Sequence, residues 1–279
     1  MSQVERSLDI LESLHRSPGG YALSQLAETL GMPKSAAHRL LIALRDRGYV
    51  EQDETTGLYR ATLKLSLIGA KYFSATDLRG FLEPAITSLS REAGELTRLS
   101  LLVGEELVWV LSSRGGDHTL RYDGHSGRAV VPHLTATGRV WLSRMSDEDA
   151  VSVALAAGLG DPDRKRPGTR AIETVQQLLE ALAVTRKQGY GLVEEEAEIG
   201  VSSVACAIMD AEDDTRFVGA VSIAGPSVRL TRTRMKQLVP HVRQAAQNLS
   251  SVLYRYRVYC GELDEATFDP SAGRQGLVV

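Results

Sequence analysis

The side chains best suited to chemistry in the first part of the chain form a short cluster just after Pro33. This reading cluster consists of Lys34, Ser35, Ala36, His38 and Arg39. Its cations can hold phosphate groups, while its small or hydrogen-bonding side chains can approach base edges in a major groove. The residue types and their spacing are therefore typical of the N-terminal half of a helix that reads DNA.

Two helices are expected ahead of this cluster. The first is predicted over about 4–17, stopped by Pro18-Gly19-Gly20, from one apolar stripe at helical spacing. That stripe is formed by Val4, Leu8, Leu11 and Leu14. The second helix is about two turns long, with Ser24 as its N-cap and Gly31 as the left-handed residue that ends it. Both helices would support the helix that carries the cluster.

A third helix and a hairpin complete the predicted N-terminal domain. Pro33 starts this helix, and the reading cluster lies on its exposed side. Its buried face is formed by Ala37, Leu40, Leu41 and Leu44. The runs 49–53 and 58–61 flank Glu54-Thr55-Thr56-Gly57 and predict a β-hairpin, on which Arg60 can reach a DNA backbone. This order of elements predicts a winged helix-turn-helix.

The predicted DNA-binding residues are Ser24, Lys34, Ser35, Ala36, His38, Arg39 and Arg60. The alternative, three packed helices with a solvated charged face, explains any one helix pair equally well. It does not explain the order of the helices, the short turn and the hairpin together. Because the net charge is −3 over 279 residues, a monomer should bind DNA weakly. A dimer, which doubles the phosphate contacts, is therefore expected.

Composition narrows the class of protein. The chain is 43% hydrophobic and 24% charged, as in ordinary globular proteins, and its length leaves room for two domains. It contains neither an apolar run of about 18 residues nor a signal-peptide core, so we expect a cytoplasmic protein with no membrane partner. Cys206 and Cys260 lie far apart in the chain, and a disulfide is not expected in that compartment.

Catalytic and metal-binding patterns are weak. His118, His125 and His133 are separated by seven and eight residues, which is a poor match for a compact zinc site. Neither a Gly-x-Ser-x-Gly elbow nor a phosphate-binding glycine loop occurs. We therefore expect no metal, no cofactor and no catalytic residue.

Motifs along most of the chain resemble those of the IclR family of transcriptional regulators. The N-terminal motifs are Leu23-Ser24-Gln25-Leu26-Ala27, Gly31-Met32-Pro33-Lys34-Ser35, Arg39-Leu40-Leu41, Leu44, Gly48-Tyr49-Val50 and Tyr59. The C-terminal motifs are His133-Leu134-Thr135-Ala136-Thr137-Gly138-Arg139, Gly189-Tyr190-Gly191, Glu194-Glu195-Glu196, Gly200, Val204-Ala205 and Val221-Ser222-Ile223-Ala224-Gly225-Pro226. They follow the family's order and spacing up to about Arg257, and the resemblance depends on their combination.

The resemblance implies an α+β protein in which a linker helix joins a winged helix-turn-helix to a GAF-like or PAS-like effector domain. The expected parts are a DNA-binding domain over 1–61, a linker helix over 62–80, an effector domain over 81–258 and a disordered tail over 259–279. Periodicity in the second domain predicts helices over 82–92, 136–145, 147–157, 172–188 and 231–256, strands over 98–103, 107–113, 201–209 and 217–223, and a hairpin over 119–123 and 129–132.

Position by position, the resemblance also implies an effector site. Its members would be Ala136, Thr137, Val193, Val201, Ser203, Ser222 and Ala224. Ala136 and Thr137 would begin a helix, whose free N–H groups suit an organic acid. Alternatively, these residues are small only because a sheet and a helix pack closely. Relatives that bind very small oxo-acids tend to carry an acidic residue and a Cys in place of Val193 and Ser203, so a larger or less polar metabolite is expected here.

The sequence thus predicts a ligand-responsive DNA-binding regulator that represses or activates a catabolic or metabolic operon. Its predicted partners are double-stranded operator DNA, a small organic or aromatic acid, and copies of itself in a homodimer or a dimer of dimers. Arg139, where the family usually has Lys, is expected on the surface, although its guanidinium would be the better planar carboxylate partner if it pointed inward. The alternatives are a DNA-binding scaffold that needs no ligand and, less favoured, a small-molecule hydrolase with a DNA-binding-like N-terminal domain.

Overall fold

Residue contacts divide the chain into two units, Met1–Asp77 and Leu78–Val279. The structure, a computed structural model, describes residues 2–75, 77–123, 130–161 and 168–259. The division falls inside the segment 62–80 that the sequence predicts as a linker helix. The predicted disordered tail lies outside the described residues, apart from Tyr259.

The first unit contains the predicted three helices and hairpin, followed by a fourth helix. Its elements are α1 (Gln3–Arg16), α2 (Leu23–Thr29), α3 (Lys34–Asp46), β1 (Val50–Gln52), β2 (Tyr59–Ala61) and α4 (Lys64–Ala75). β1 and β2 pair antiparallel, and Glu51 lies opposite Arg60. An isolated bridge between Tyr21 and Tyr59 joins the hairpin to the segment before α2.

The predicted apolar stripe of α1 is wrong at two positions. Val4 and Leu8 are 69% and 53% exposed, whereas Ile10 and Leu14 are buried. The reason is that only the second half of α1 packs into the apolar cluster of this unit, which also contains Leu26.

The predicted cap of α2 is wrong as well. Ser24 lies inside the helix and is exposed, and Ala22 occupies the N-cap position. The helix begins before Ser24 because the Ala22 N–H donates to the side-chain oxygen of Gln25 at 3.2 Å, which satisfies an amide that the first turn leaves free. Gly31 ends the helix in the left-handed conformation, with φ +57°, as the sequence predicts.

The second unit is built around a five-stranded sheet. Its elements are α5 (Leu78–Ala93), β3 (Leu96–Val103), β4 (Glu106–Ser113), α6 (Ala136–Leu142), α7 (Asp147–Ala156), α8 (Val175–Gln188), β5 (Gly191–Glu194), β6 (Val201–Met209), β7 (Phe217–Pro226) and α9 (Arg232–Tyr259). The strand order is β4-β3-β7-β6-β5, and every neighbouring pair is antiparallel.

Two strand predictions in this unit need correction. Residues 119–123 and 130–132 form no strand, so the second hairpin is wrong within the described residues, while 124–129 lie outside them. The segment 191–194, which the periodicity does not identify, forms β5. A four-residue strand is too short for alternation to identify, and it becomes a strand by pairing with 202–205 on β6.

The two faces of the sheet pack against different helices, because side chains alternate along each strand. One face carries Leu99, Val204 and Ile223, which pack in a single core with residues of α5 and α9. The other face carries Val193, Ala205 and Ala220, which pack against α6. Within the part of the chain that the structure describes, no helix is long and apolar enough to cross a membrane.

Candidate functional site

The reading cluster lies at the start of α3, where the sequence predicts it. Lys34, Ser35, His38 and Arg39 are exposed and Ala36 is half-buried. The opposite face of the helix is fixed in the core by two residues with no exposed surface, Ala37 and Leu41. Neither cation of the cluster forms an ion pair with any described residue, so both charges are available to a ligand.

The guanidinium of Arg60 is less available to DNA than the side chains of the reading cluster. Its Nε donates to the carbonyl of Gly19 at 3.2 Å, and its guanidinium forms a 3.5 Å ion pair with Asp53. Asp53 in turn accepts hydrogen bonds from the backbone N–H groups of Thr56, which has the larger effect, and Thr55, and these hold the pKa of this carboxyl below its usual range. Arg60 therefore anchors the hairpin to the body of the first unit.

Five of the seven predicted effector residues share one face of the sheet. Val193, Ser203 and Ala224 lie opposite one another on β5, β6 and β7. Val201 and Ser222 lie on the same side of β6 and β7, since each is two residues from a member of that row. We call this surface, which α6 partly covers, the effector face.

The other two predicted residues lie in α6. Ala136 and Thr137 are 0% and 2% exposed. A Cβ atom on Gly191 would lie 2.4 Å from the carbonyl oxygen of Ala136, so helix and strand are in direct backbone contact. Ala136 also packs with Val193 and Ala205. The close packing of sheet and helix is thus sufficient to explain the small size of Ala136.

Arg139 is not on the surface, so that expectation is wrong. It is 5% exposed and forms an ion pair with Glu196. Its guanidinium also donates to the carbonyl oxygens of Leu192 and His133, at 3.3 Å each. The side chain is directed inward because the loop after β5 supplies a carboxylate within reach of α6. Arg139 is therefore paired with groups of the protein rather than presented to a ligand.

Besides Arg139, the second unit buries another guanidinium, which lies on the effector face and which the sequence predictions do not include. Arg98 of β3 is 6% exposed and lies opposite Ser222 of β7. It stacks on the ring of Trp109 at 4.1 Å and lies 5.5 Å from the ring centre of Tyr122. Burial lowers the pKa of Arg98, against the opposing effects of Tyr122 and the Glu198 carboxylate. A charged residue within the leucine-rich run 96–103 is the signal that could have identified it.

Tyr122 joins the two loops beside Arg98. Its hydroxyl donates to the carboxylate of Glu198 at 2.8 Å, which connects the segment after β4 to the segment before β6. Burial raises the pKa of Tyr122, and the nearby charge of Arg98 opposes that shift. Tyr122 is half-buried and Glu198 is exposed, so this contact lies at the edge of the effector face.

An open cleft of about 820 Å³ lies elsewhere in the same unit. Its apolar lining includes Leu102, Leu107, Val130, Trp141 and Val153. None of the seven predicted effector residues lines it. Among the described residues, no three His, Cys, Asp or Glu side chains are grouped as a metal site. One of the three histidines weighed for zinc, His125, lies outside those residues.

Comparison with known proteins assigns the chain to a family. Residues 3–54 match the IclR helix-turn-helix domain, and residues 70–251 match the bacterial transcriptional regulator IclR C-terminal domain. The chain belongs to the IclR family. It is a DNA-binding transcriptional regulator of the IclR type, with the α+β arrangement of an N-terminal helix-turn-helix domain and a C-terminal effector domain that the sequence predicts.

Individual relatives agree over most of the chain. The regulator XynR of Escherichia coli (strain K12) is 30% identical over 253 residues, which cover 91% of this chain and 97% of that protein. The transcriptional repressor IclR of the same organism is 27% identical, with coverage of 90% and 89%. A crystal structure of an IclR transcriptional regulator from Silicibacter sp. TM1040 has a TM-score of 0.75 at 24% identity and covers 91% of this chain and 96% of its own, which shows a shared fold.

Proposed function

We propose that this IclR-family protein is a ligand-responsive regulator that reads operator DNA with α3 and binds a small organic or aromatic acid on its effector face. The observation that carries the DNA-binding part is the placement of Lys34 and Arg39. Both cations are exposed on the N-terminal half of a helix whose other face is buried, and neither is paired with a described residue. Major-groove reading requires this arrangement.

A homodimer is part of this proposal. The first unit exposes apolar side chains on two of its helices, and such surfaces mark protein contacts when they are contiguous. They are Val4 and Leu8 of α1, with Leu65, Leu67, Ile68 and Tyr72 of α4. Two copies joined through α1 and α4 would double the phosphate contacts, which a chain of net charge −3 needs for useful affinity. A dimer of dimers would double them again.

The effector part of the proposal is supported by the effector face. Four of its members, Val193, Val201, Ser203 and Ala224, present small or apolar side chains next to one another, and Ser222 contributes a hydroxyl. We assign this site to an effector domain over 81–258, the reading head to 1–61 and the connection between them to 62–80. An acid that binds one arrangement of the connected domains more tightly than another would change operator affinity.

The experiment is selection of duplex DNA from a random library by the purified full-length protein at moderate salt. We expect an enriched pseudo-palindrome with half-sites about one helical turn apart, bound roughly a thousandfold more tightly than random duplex. The enriched duplex is then titrated with protein in the presence and absence of each of several organic and aromatic acids. Affinity no better than that for random duplex would refute the proposed function, whatever the acids do.

A further inference from the structure

Three polar atoms near one another in the fold lack a hydrogen-bond partner although they are buried. They are Arg98 Nε, Trp109 Nε1 and Ser222 Oγ, and no described residue satisfies them. Arg98 and Ser222 are opposite each other on β3 and β7, and Trp109 stacks on Arg98. Buried polar atoms are rarely left unpaired, because each costs free energy unless a partner replaces water. The three atoms therefore indicate a missing ligand with oxygen acceptors.

The charge of Arg98 indicates that this ligand is an anion. A guanidinium stays protonated at neutral pH, and burying it without a counter-charge is costly. Arg98 forms no ion pair with any carboxylate in the described ranges. Glu198, the acidic residue that influences it, is exposed and accepts from Tyr122 instead.

The stacking of Arg98 fixes how an anion would approach. Trp109 covers one face of the guanidinium at 4.1 Å, and Tyr122 lies on it more loosely at 5.5 Å. Face-on stacking leaves the in-plane edge of the guanidinium uncovered, and beside its hydrogen bond with Tyr122 that edge matches the two oxygens of a carboxylate. The aromatic rings beside the edge add flat apolar surface, which suits the body of an aromatic or unsaturated acid.

We propose that Arg98 binds the carboxylate of the effector, with the Ser222 hydroxyl as a second contact and Trp109 and Tyr122 packed beside the acid. This inference rests on the proposed effector face and narrows it: the acid end of the ligand is at the β3 side of the face. The effector is then a carboxylic acid that binds much more weakly when its charge is removed.

The test uses thermal-shift titration of the full-length protein with benzoate, 4-hydroxybenzoate, phenylacetate, pyruvate and succinate, each against its uncharged amide, at up to about 20 mM. We expect at least one acid to stabilise the wild-type protein and its amide to bind roughly tenfold or more weakly. Arg98→Met should abolish the shift, and Ser222→Ala should weaken binding severalfold. Arg121→Met is the matched control, since Arg121 is exposed and pairs with Asp123, and it should bind like wild type.

The unliganded variants test the same inference without a ligand. If Arg98 is a binding residue, Arg98→Met keeps or raises the melting temperature, because it removes an uncompensated buried charge. A fall of more than about 4 °C would assign Arg98 a structural role and overturn the proposal. Equal binding of acid and amide, wild-type affinity in Arg98→Met, or no stabilisation of the wild type by any of these acids would overturn it too. Specific operator binding by wild type and Arg98→Met separates these outcomes from failure of the proposed function.

Discussion

Arg139 and Glu196 form a buried ion pair that ties α6 to the loop between β5 and β6. Their side chains are 6% and 13% exposed, and Arg139 Nη1 donates to Glu196 Oε1 at 3.2 Å. The same guanidinium donates to the carbonyl of His133, so it also holds the segment that leads into α6. Because α6 covers part of the effector face, this ion pair helps to hold α6 in place over the sheet.

Glu196→Gln should destabilise the second unit strongly. The substitution leaves the Arg139 guanidinium buried without its charge partner, which costs about 3–5 kcal/mol and lowers the melting temperature by roughly 10 °C. Differential scanning calorimetry of the full-length protein measures the effect. The matched control is Glu83→Gln on α5. Glu83 is 51% exposed and its partner Arg79 is 65% exposed, so the loss of stability should stay below about 0.5 kcal/mol. Similar melting temperatures for both variants would contradict the assigned role of the buried pair.

Gly191→Ala should separate effector binding from DNA binding. The new Cβ would lie 2.4 Å from the Ala136 carbonyl oxygen and 3.1 Å from the Val140 side chain, so α6 has to move away from β5. We expect a loss of about 1–3 kcal/mol in stability and a smaller thermal shift with any acid that binds the wild type. Affinity for operator DNA in the absence of an acid should be retained.

Gly19→Ala is the control for Gly191→Ala. Gly19 lies in the turn between α1 and α2, and a Cβ there meets nothing within 4 Å, so stability should change by less than about 1 kcal/mol. Titrations of both variants with the same acid and the same operator show the difference. Wild-type acid binding by Gly191→Ala would mean that contact between α6 and β5 is not needed at the effector site.

The DNA-binding head is predictable from the sequence because its signals are local. The spacing of Ala37 and Leu41 specifies which side of α3 is buried, and a glycine at position 31 specifies where α2 ends. Ser24 shows the limit of this reasoning. Three-residue spacing fits several caps, and the one that forms depends on the side chain of Gln25.

The effector face is harder to predict because its defining contacts join distant segments. Periodicity indicates that β3 is a strand, but the pairing of Arg98 with Ser222 depends on the order of strands in the sheet. The expectation that Arg139 is exposed is wrong for the same reason, since its partner Glu196 is 57 residues away. The family resemblance supplies the seven effector positions, and these stay a prediction, as do the DNA contacts.

Cys206 should react slowly with thiol reagents while the protein is folded. Burial raises the pKa of this thiol to about 11, and the charge of Arg243 only partly opposes the shift. At pH 8 about one thiol in a thousand is then the reactive thiolate. We expect Cys260→Ser, which leaves Cys206 as the single cysteine, to be labelled by Ellman's reagent only in denaturant.

The raised pKa of Cys206 also makes the stability of the protein depend on pH. The folded state holds its thiol proton to a higher pH than the unfolded state, whose thiol has the ordinary pKa of 9.0. Stability from this group is therefore complete below pH 9 and falls as pH rises towards 11. Cys206→Ala in the Cys260→Ser background removes this part of the pH dependence in urea unfolding. Rapid labelling of native Cys206 at pH 8 would show that the thiol is accessible.

Arg39→Ala should weaken binding to the selected operator by more than about tenfold and reduce the salt dependence by about one counterion. The substitution removes an unpaired cation from the exposed side of α3 and leaves the buried side intact. Arg45→Ala is the control, because Arg45 lies in the last turn of the same helix, away from the N-terminal half, and is 3.8 Å from Asp46. Fluorescence anisotropy at several salt concentrations gives both affinities, and sedimentation should show the same oligomer for all three proteins. Equal affinities for Arg39→Ala and wild type would mean that α3 does not present its N-terminal half to DNA.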